Sequence, residues 1–333
     1  MENLKGTPVL VTGASGFIGG RLAERLATEH GAKVTGSGRN FPEEASLRAA
    51  GVTIARAELT DAEAMAKLCE GQSIVFHVAA WLMRGKGGDS EAKTINVDAA
   101  VALTEAAARA KVKRLVLVST IAVYGRPAGD EVDEDTPLDE QQTDIYGRTK
   151  AIGERSVRET AARLGLELAI VRPAMVYGPR SAGWTVAMLK LVKKGVPVLF
   201  GDAQGHAYPI YVDDLVDLLI LAGTRPEAAG QAWNGADTPI TRERFFEFYG
   251  KMTGRKPRRV PLWLARGIAG ANQFLHLGIP LTIDRLETYV RRFHFVNGKA
   301  ERLLGWRPRV SLDEGMHRSA EWLRQKGMLP FSG

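Results

Sequence analysis

The chain has 333 residues, 45% hydrophobic and 25% charged, enough to bury one substantial core, which excludes fibrous and disordered classes. Its single cysteine, Cys69, rules out an internal disulfide, and no run reaches the roughly 18–20 apolar residues a membrane span needs. The net charge of +7 is concentrated between Arg242 and Arg309, where 15 Lys and Arg stand against five Asp and Glu.

The Met1–Pro8 start lacks the basic-then-apolar build of a secretory signal, so a reducing, cytoplasmic setting is expected. β-Branched apolar runs at Pro8–Thr12, Lys33–Ser37, Val52–Arg56, Ile74–Val78, Arg114–Ser119 and Leu168–Arg172 predict six buried strands. Helical patterns at Phe17–Glu29, Ala62–Cys69, Ser90–Ala110 and Ile145–Leu164 fall between them. Such alternation predicts an α/β fold, a Rossmann-type doubly wound parallel sheet with helices on both faces. Ligands then bind beyond the carboxyl ends of the strands, where the winding reverses.

Residues 1–175 are expected to form a dinucleotide-binding domain to which 211–236 contribute, and 176–333 mainly a smaller C-terminal substrate-binding lobe. In that second part Gly and Pro punctuate the chain, and Asp213-Asp214 are expected to cap a helix over Val212–Ala222. Leu262–Leu281 is interrupted by Arg266, Asn272, Gln273 and His276 and reads as an amphipathic or partly buried helix. The acidic stretch Asp130–Glu140 reads as a solvated loop, Cys69 as a small buried residue and His77 as structural. A basic face suits an anionic ligand, an anionic lipid surface or nucleic acid. No nucleic-acid motif accompanies this one, so it reads as solvated, with peripheral membrane contact left open.

The first strand runs into Gly13-Ala14-Ser15-Gly16-Phe17-Ile18-Gly19, glycines three apart, and then directly into a helical pattern. The first glycine allows a tight turn, the second close approach of a pyrophosphate, and the third close packing of helix on strand. The helix start offers free N–H groups and the positive end of its dipole. After the second strand, where an acid would select NAD through its ribose hydroxyl, stands Arg39, whose planar cation favours the 2'-phosphate of NADP(H) over NAD(H). Glu58 follows the third strand and suits the adenine edge, while Ala79 and Ala80 follow the fourth and let a cofactor pass without a side-chain clash.

The fifth strand ends at Ser119-Thr120, and the long helix after it opens with Tyr146 and Lys150. Four residues apart, they share one helix face, where a lysine cation is expected to lower the tyrosine pKa from about 10. Tyr146 becomes a candidate general acid/base, with a hydroxyl from Thr120 converging on the same substrate oxygen and Lys150 reaching a nicotinamide ribose.

Thr12–Gly19, His77–Ala80, Ser119–Gly125, Tyr146–Lys150, Arg172–Pro179 and the ending Leu304–Pro308 with Ser311–Gly315 together resemble the extended short-chain dehydrogenase/reductase family, of the NAD(P)-dependent epimerase/dehydratase type. The pattern is nearest to its 3-beta-hydroxysteroid dehydrogenase and dihydroflavonol reductase-like branch. The resemblance implies Thr120, Tyr146 and Lys150 as the catalytic set, Thr120 rather than Ser119 because it lies four residues before Tyr124. It also implies that Ser15, Phe17, Ile18, Leu59, Pro173 and Val176 border the cofactor, that no metal takes part, and that two helices form a homodimer.

Departures from the family pattern narrow the substrate. Met175 stands where sugar-nucleotide enzymes place a phosphate-contacting asparagine, and Ala207-Tyr208-Pro209 lacks their arginine before the paired aspartates. Ile121-Ala122 follows Thr120 in place of the dehydratases' Asp-Glu. Trp81, Leu82, Met83, Thr120, Met175 and Trp184 are the candidate lining of a mainly apolar substrate pocket. The expected activity is hydride exchange between NADP(H) and a carbonyl or secondary alcohol of such a molecule. The alternatives are nucleotide-sugar epimerisation and non-catalytic dinucleotide sensing.

Overall fold

The computed structural model describes residues 4–82, 88–275, 281–296 and 298–330. Met83 therefore lies outside the described residues.

Seven parallel strands form the central sheet: β1 (Pro8–Thr12), β2 (Lys33–Gly38), β3 (Thr53–Arg56), β4 (Ile74–His77), β5 (Arg114–Val118), β6 (Glu167–Pro173) and β7 (Ala232–Gly235). Their order is β7-β6-β5-β4-β1-β2-β3. Every residue of β4 and of β5 is buried, as strands covered on both faces require. The six expected strands form to within a residue or two. β7 was not expected: it is four residues long and ends in Asn234-Gly235, a pair that in isolation signals a turn. Trp233, wholly buried at its centre, shows that packing overrides that local signal.

The winding reverses between β1 and β4, and register brings Thr12 of β1 beside both Ser37 of β2 and His77 of β4. A crevice at the carboxyl ends of these strands follows from that topology. Helix α1 (Phe17–Thr28) leaves β1 directly. The expected helix Ser90–Ala110 is instead broken by a π-helical turn at Thr94–Asp98, continuing as α2 (Ala99–Arg109). Helix α3 (Ile145–Leu164) begins at Asp144, whose carboxylate accepts the Gly147 N–H at 2.9 Å, and ends at Gly165 in the left-handed conformation.

Two expectations in the later chain are corrected. The loop Asp130–Glu140 is not wholly solvated, because Glu131–Val132 pairs with His294–Phe295 and both Val132 and Glu134 are buried. Asp213 and Asp214 do not cap α4 (Val212–Thr224), which starts from Tyr211 without a side-chain cap. Asp213 pairs with Arg21 at 2.6 Å, and the buried Asp214 carboxylate accepts the Arg309 and Val310 N–H groups at 2.9 and 3.1 Å, tying the C-terminal segment to the fold.

Candidate active site

Gly13 has a φ of +72°, and a side chain there would sit 2.7 Å from the Ala79 nitrogen, so the turn needs glycine for both conformation and space. A Cβ on Gly19 would lie 2.3 Å from the Gly13 carbonyl oxygen, which is the close contact of α1 with the turn. Above this turn opens a cleft of about 1300 Å³. Its lining includes Gly13, Ser15, Gly16, Phe17, Ile18, Gly19, Arg39, Glu58, Leu59, Ala79, Ala80, Pro173 and Val176, so the structure brings every residue proposed for the cofactor to one place. Arg39 is exposed at the end of β2, its Nε 3.9 Å from the Glu58 carboxylate.

Thr120, Tyr146 and Lys150 border the same cleft. Thr120 starts a short 3-10 turn, and its hydroxyl accepts the Ala122 N–H at 3.2 Å. Burial pushes the Tyr146 phenol up to about 12, against a hydrogen bond with Thr120 that pulls the other way and Asp144, which adds to the rise. The expected lowering by Lys150 is not found. Lys150 is itself buried and brought down to about 8, with Glu154 one turn on resisting the shift, and its Nζ donates to the Val118 carbonyl at 2.8 Å. Desolvation thus outweighs the attraction that sequence spacing suggested. His77 is buried at the end of β4 with Nδ1 2.9 Å from the Thr12 hydroxyl, and burial lowers it to about 3, so it is a neutral structural group.

A family model described as NAD dependent epimerase/dehydratase family matches residues 9–236, from β1 through β7. The chain belongs to that family. A UDP-glucose 4-epimerase of Mycolicibacterium smegmatis is 31% identical over 95% of this chain and 98% of its own length. A 2-alkyl-3-oxoalkanoate reductase of Shewanella oneidensis is 29% identical over 92% of this chain and 84% of its own. Among solved structures, a UDP-glucose 4-epimerase from Thermotoga maritima with UDP-glucose shares the fold, with a TM-score of 0.78 at 24% identity over 96% of this chain and 99% of that one.

The family's dinucleotide fits the residues present. Helix α1 begins at Gly16 with no side-chain cap and no acidic residue in its first turn, so neither a cap nor a first-turn carboxylate competes for an anion at its positive end. The substrate assignments fare less evenly. Leu82 and Trp184 line the cleft, but Trp81 and Met175 do not. Trp81 is buried, its indole N–H donating to Glu91 at 3.1 Å and its backbone N–H to Asn96 at 2.9 Å. Met175 is buried in the core, its sulfur 3.2 Å from an Arg242 N–H.

Two supports of the site escaped the sequence reading. Asn96, in the π turn, also donates to the Thr149 hydroxyl at 3.0 Å, and its carbonyl lies 2.1 Å from where a Cβ on Gly153 would stand, so the turn is pressed onto α3 beside Tyr146 and Lys150. Glu154 is fully buried one turn beyond Lys150 and pairs with Arg172 at 2.6 Å; Arg172 also donates to the Tyr124 hydroxyl at 2.6 Å and the Glu134 carbonyl at 3.0 Å. Glu154's i,i+4 spacing from Lys150 was a readable signal; the break in the helical pattern at Asn96 was not.

Proposed function

We propose that the chain catalyses reversible hydride transfer between NADP(H) and a carbonyl or secondary alcohol of a mainly apolar small molecule. The observation that carries this reading is the meeting, in one cleft, of the glycine turn, Thr120, Tyr146 and Lys150 with an apolar wall that includes Val176, Trp184, Ala187 and Met188. When bound, the nicotinamide supplies or accepts the hydride. Tyr146 gives its phenolic proton to the substrate oxygen or takes it back, Thr120 orients that oxygen, and Lys150 holds a ribose and the local charge. Arg39 takes the 2'-phosphate, the α1 start holds the pyrophosphate, and residues 176–333 mainly form the substrate lobe. The likeness to an oxoalkanoate reductase supports an apolar substrate.

A second reading, nucleotide-sugar epimerisation, is favoured by the 31% identity to a UDP-glucose 4-epimerase; there the same hydride leaves and returns with no net redox change. The test is loss of reduced-cofactor absorbance across a panel of apolar ketones and aldehydes, with UDP-hexoses in parallel. Tyr146→Phe should lower turnover by about 100-fold or more while cofactor binding persists, since only the transferable proton is removed. Full turnover in that variant would overturn the role of Tyr146. Conversion of UDP-hexoses without net oxidation would establish the second reading instead.

A further inference from the structure

The helix Leu262–Leu275 buries Ala265, Ala269 and Asn272 and turns a second apolar stripe outward. On it Trp263 is 73% exposed, Leu264 40% and Ile268 37%, with Gly267 and Ala271 exposed on the same side. Exposed apolar side chains in such a group ordinarily meet a partner. Beside the amino end of this helix, short strands Leu199–Phe200 and Arg259–Val260 pair in parallel, and the Val198 and Leu199 N–H groups donate to the Arg258 carbonyl at 3.1 and 3.2 Å. Gly195, which lies between the Lys193-Lys194 end of helix Met188–Lys194 and exposed Val196, has Arg255 and Arg258 as its nearest side chains.

Residues 181–201 and 248–283 together hold nine Lys and Arg and no Asp or Glu. Only Arg259 and Arg266 among the nine form ion pairs, with Glu243 and Glu287; Lys190, Lys193, Lys194, Lys251, Arg255, Lys256 and Arg258 form none among the described residues. An aromatic anchor, an outward apolar stripe and a flanking group of uncompensated cations are the features of an element lying in the interface of an anionic bilayer. Among the described residues no helix is long and apolar enough to cross a membrane, so the contact is peripheral. A second copy of the chain fits less well, because a two-fold contact through this face would bring the same cations together.

We propose that this face docks the protein on anionic phospholipid surfaces, with Trp263, Leu264 and Ile268 entering the headgroup boundary and the Lys190–Lys194 and Arg255–Arg258 cations meeting lipid phosphates. Met188, in the cleft wall, opens the same helix that ends in Lys193-Lys194, so one seven-residue helix connects the docked face to the cleft. The inference goes beyond the proposed reaction and needs no substrate to test. Full-length protein should co-float with vesicles of phosphatidylcholine containing phosphatidylglycerol, far less with phosphatidylcholine alone, and be released by salt. Lys193→Gln with Lys194→Gln should lower partitioning about 25-fold, from about 1 kcal/mol per cation at an anionic surface. Trp263→Ser should lower it about ten-fold, and all variants should keep the wild-type melting curve, since the altered side chains are exposed. Equal binding to neutral vesicles, or partitioning unmoved by these substitutions, would overturn the proposal. So would absence of vesicle binding together with a self-association that Trp263→Ser dissolves, which would make the face an interface between copies.

Discussion

Replacing Arg39 with alanine tests the proposed choice between the two nicotinamide cofactors. The guanidinium stands just past β2 on the edge of the cleft, 68% exposed, and pairs among the described residues with the Glu58 carboxylate at 3.9 Å. A hydrogen bond to a charged group contributes about 1.5–3 kcal/mol, and the solvent around Arg39 argues for the lower half of that range. NADPH should therefore bind about 10–40-fold more weakly to Arg39→Ala, whereas NADH, with no 2'-phosphate to lose, should change by less than about three-fold. Glu58→Gln should act in the opposite sense. An unscreened charge about 4 Å from the Arg39 cation is worth about 1 kcal/mol in water, so removing it should tighten NADPH by up to about five-fold at low salt, and less as salt rises. Fluorescence titrations of wild type, both single variants and the double variant close a cycle, and the Glu58 gain should vanish once Arg39 is gone. Equal weakening of both cofactors by Arg39→Ala would refute the phosphate contact, because it would show that the side chain shapes the pocket and does not read the phosphate.

Because burial brings Lys150 down to about 8, its cation is present below that pH and lost above it; the alkaline limb of kcat/KM should fall with an apparent pKa near 8, and Lys150→Arg should move the limb upward. Glu154→Gln leaves the Arg172 guanidinium buried without its counter-charge and should cost about 3–5 kcal/mol in urea unfolding, while replacing both partners by apolar residues should cost less than the single change. Gly19→Ala sets a methyl 2.3 Å from a backbone oxygen that cannot swing away; it should weaken both cofactors alike and lower the melting temperature, a pattern distinct from that of Arg39→Ala.

Most of the sheet was legible because strands buried on both faces must be continuously apolar, and runs such as Arg114–Val118 leave little room for another reading. The glycine turn was legible for a different reason: at Gly13 and Gly19 a side chain has nowhere to go, so the sequence carries the geometry directly. What escaped were features decided by distant parts of the chain. Glu134 belongs to an acidic stretch and looks solvated, yet its carboxylate accepts the Asn234 N–H of β7 at 2.8 Å, a partner 100 residues away. For Trp81 and Met175, a position near the strand ends and an apolar side chain point to the substrate, but that combination does not distinguish a pocket wall from a core. The π turn over Thr94–Asp98 keeps helical hydrophobic periodicity on either side, so no pattern in composition marks it.

Burial acts in the same direction on both groups at the centre of the site, since it disfavours charge on each: the phenol rises to about 12 and the ammonium falls to about 8. The Tyr146 phenol is thus protonated throughout the neutral range, the form the proposed reduction needs when hydride arrives at a carbonyl carbon and the oxygen takes up a proton. The reverse reaction needs the phenolate, which in this site alone forms only near pH 12, well above the pH near 8 at which the Lys150 cation that would stabilise it is lost. Reaction in the oxidative direction therefore depends on bringing a second positive charge to the cleft. The oxidised nicotinamide ring carries one and the reduced ring does not, so in the proposed reaction the site resists ionisation of Tyr146 during reduction and yields to it during oxidation. A Tyr146 pKa that falls on addition of NADP+ but not of NADPH, followed by the ultraviolet signal of the phenolate, is the expected result; equal shifts with both would show that solvent exclusion, and not charge, sets the proton on Tyr146.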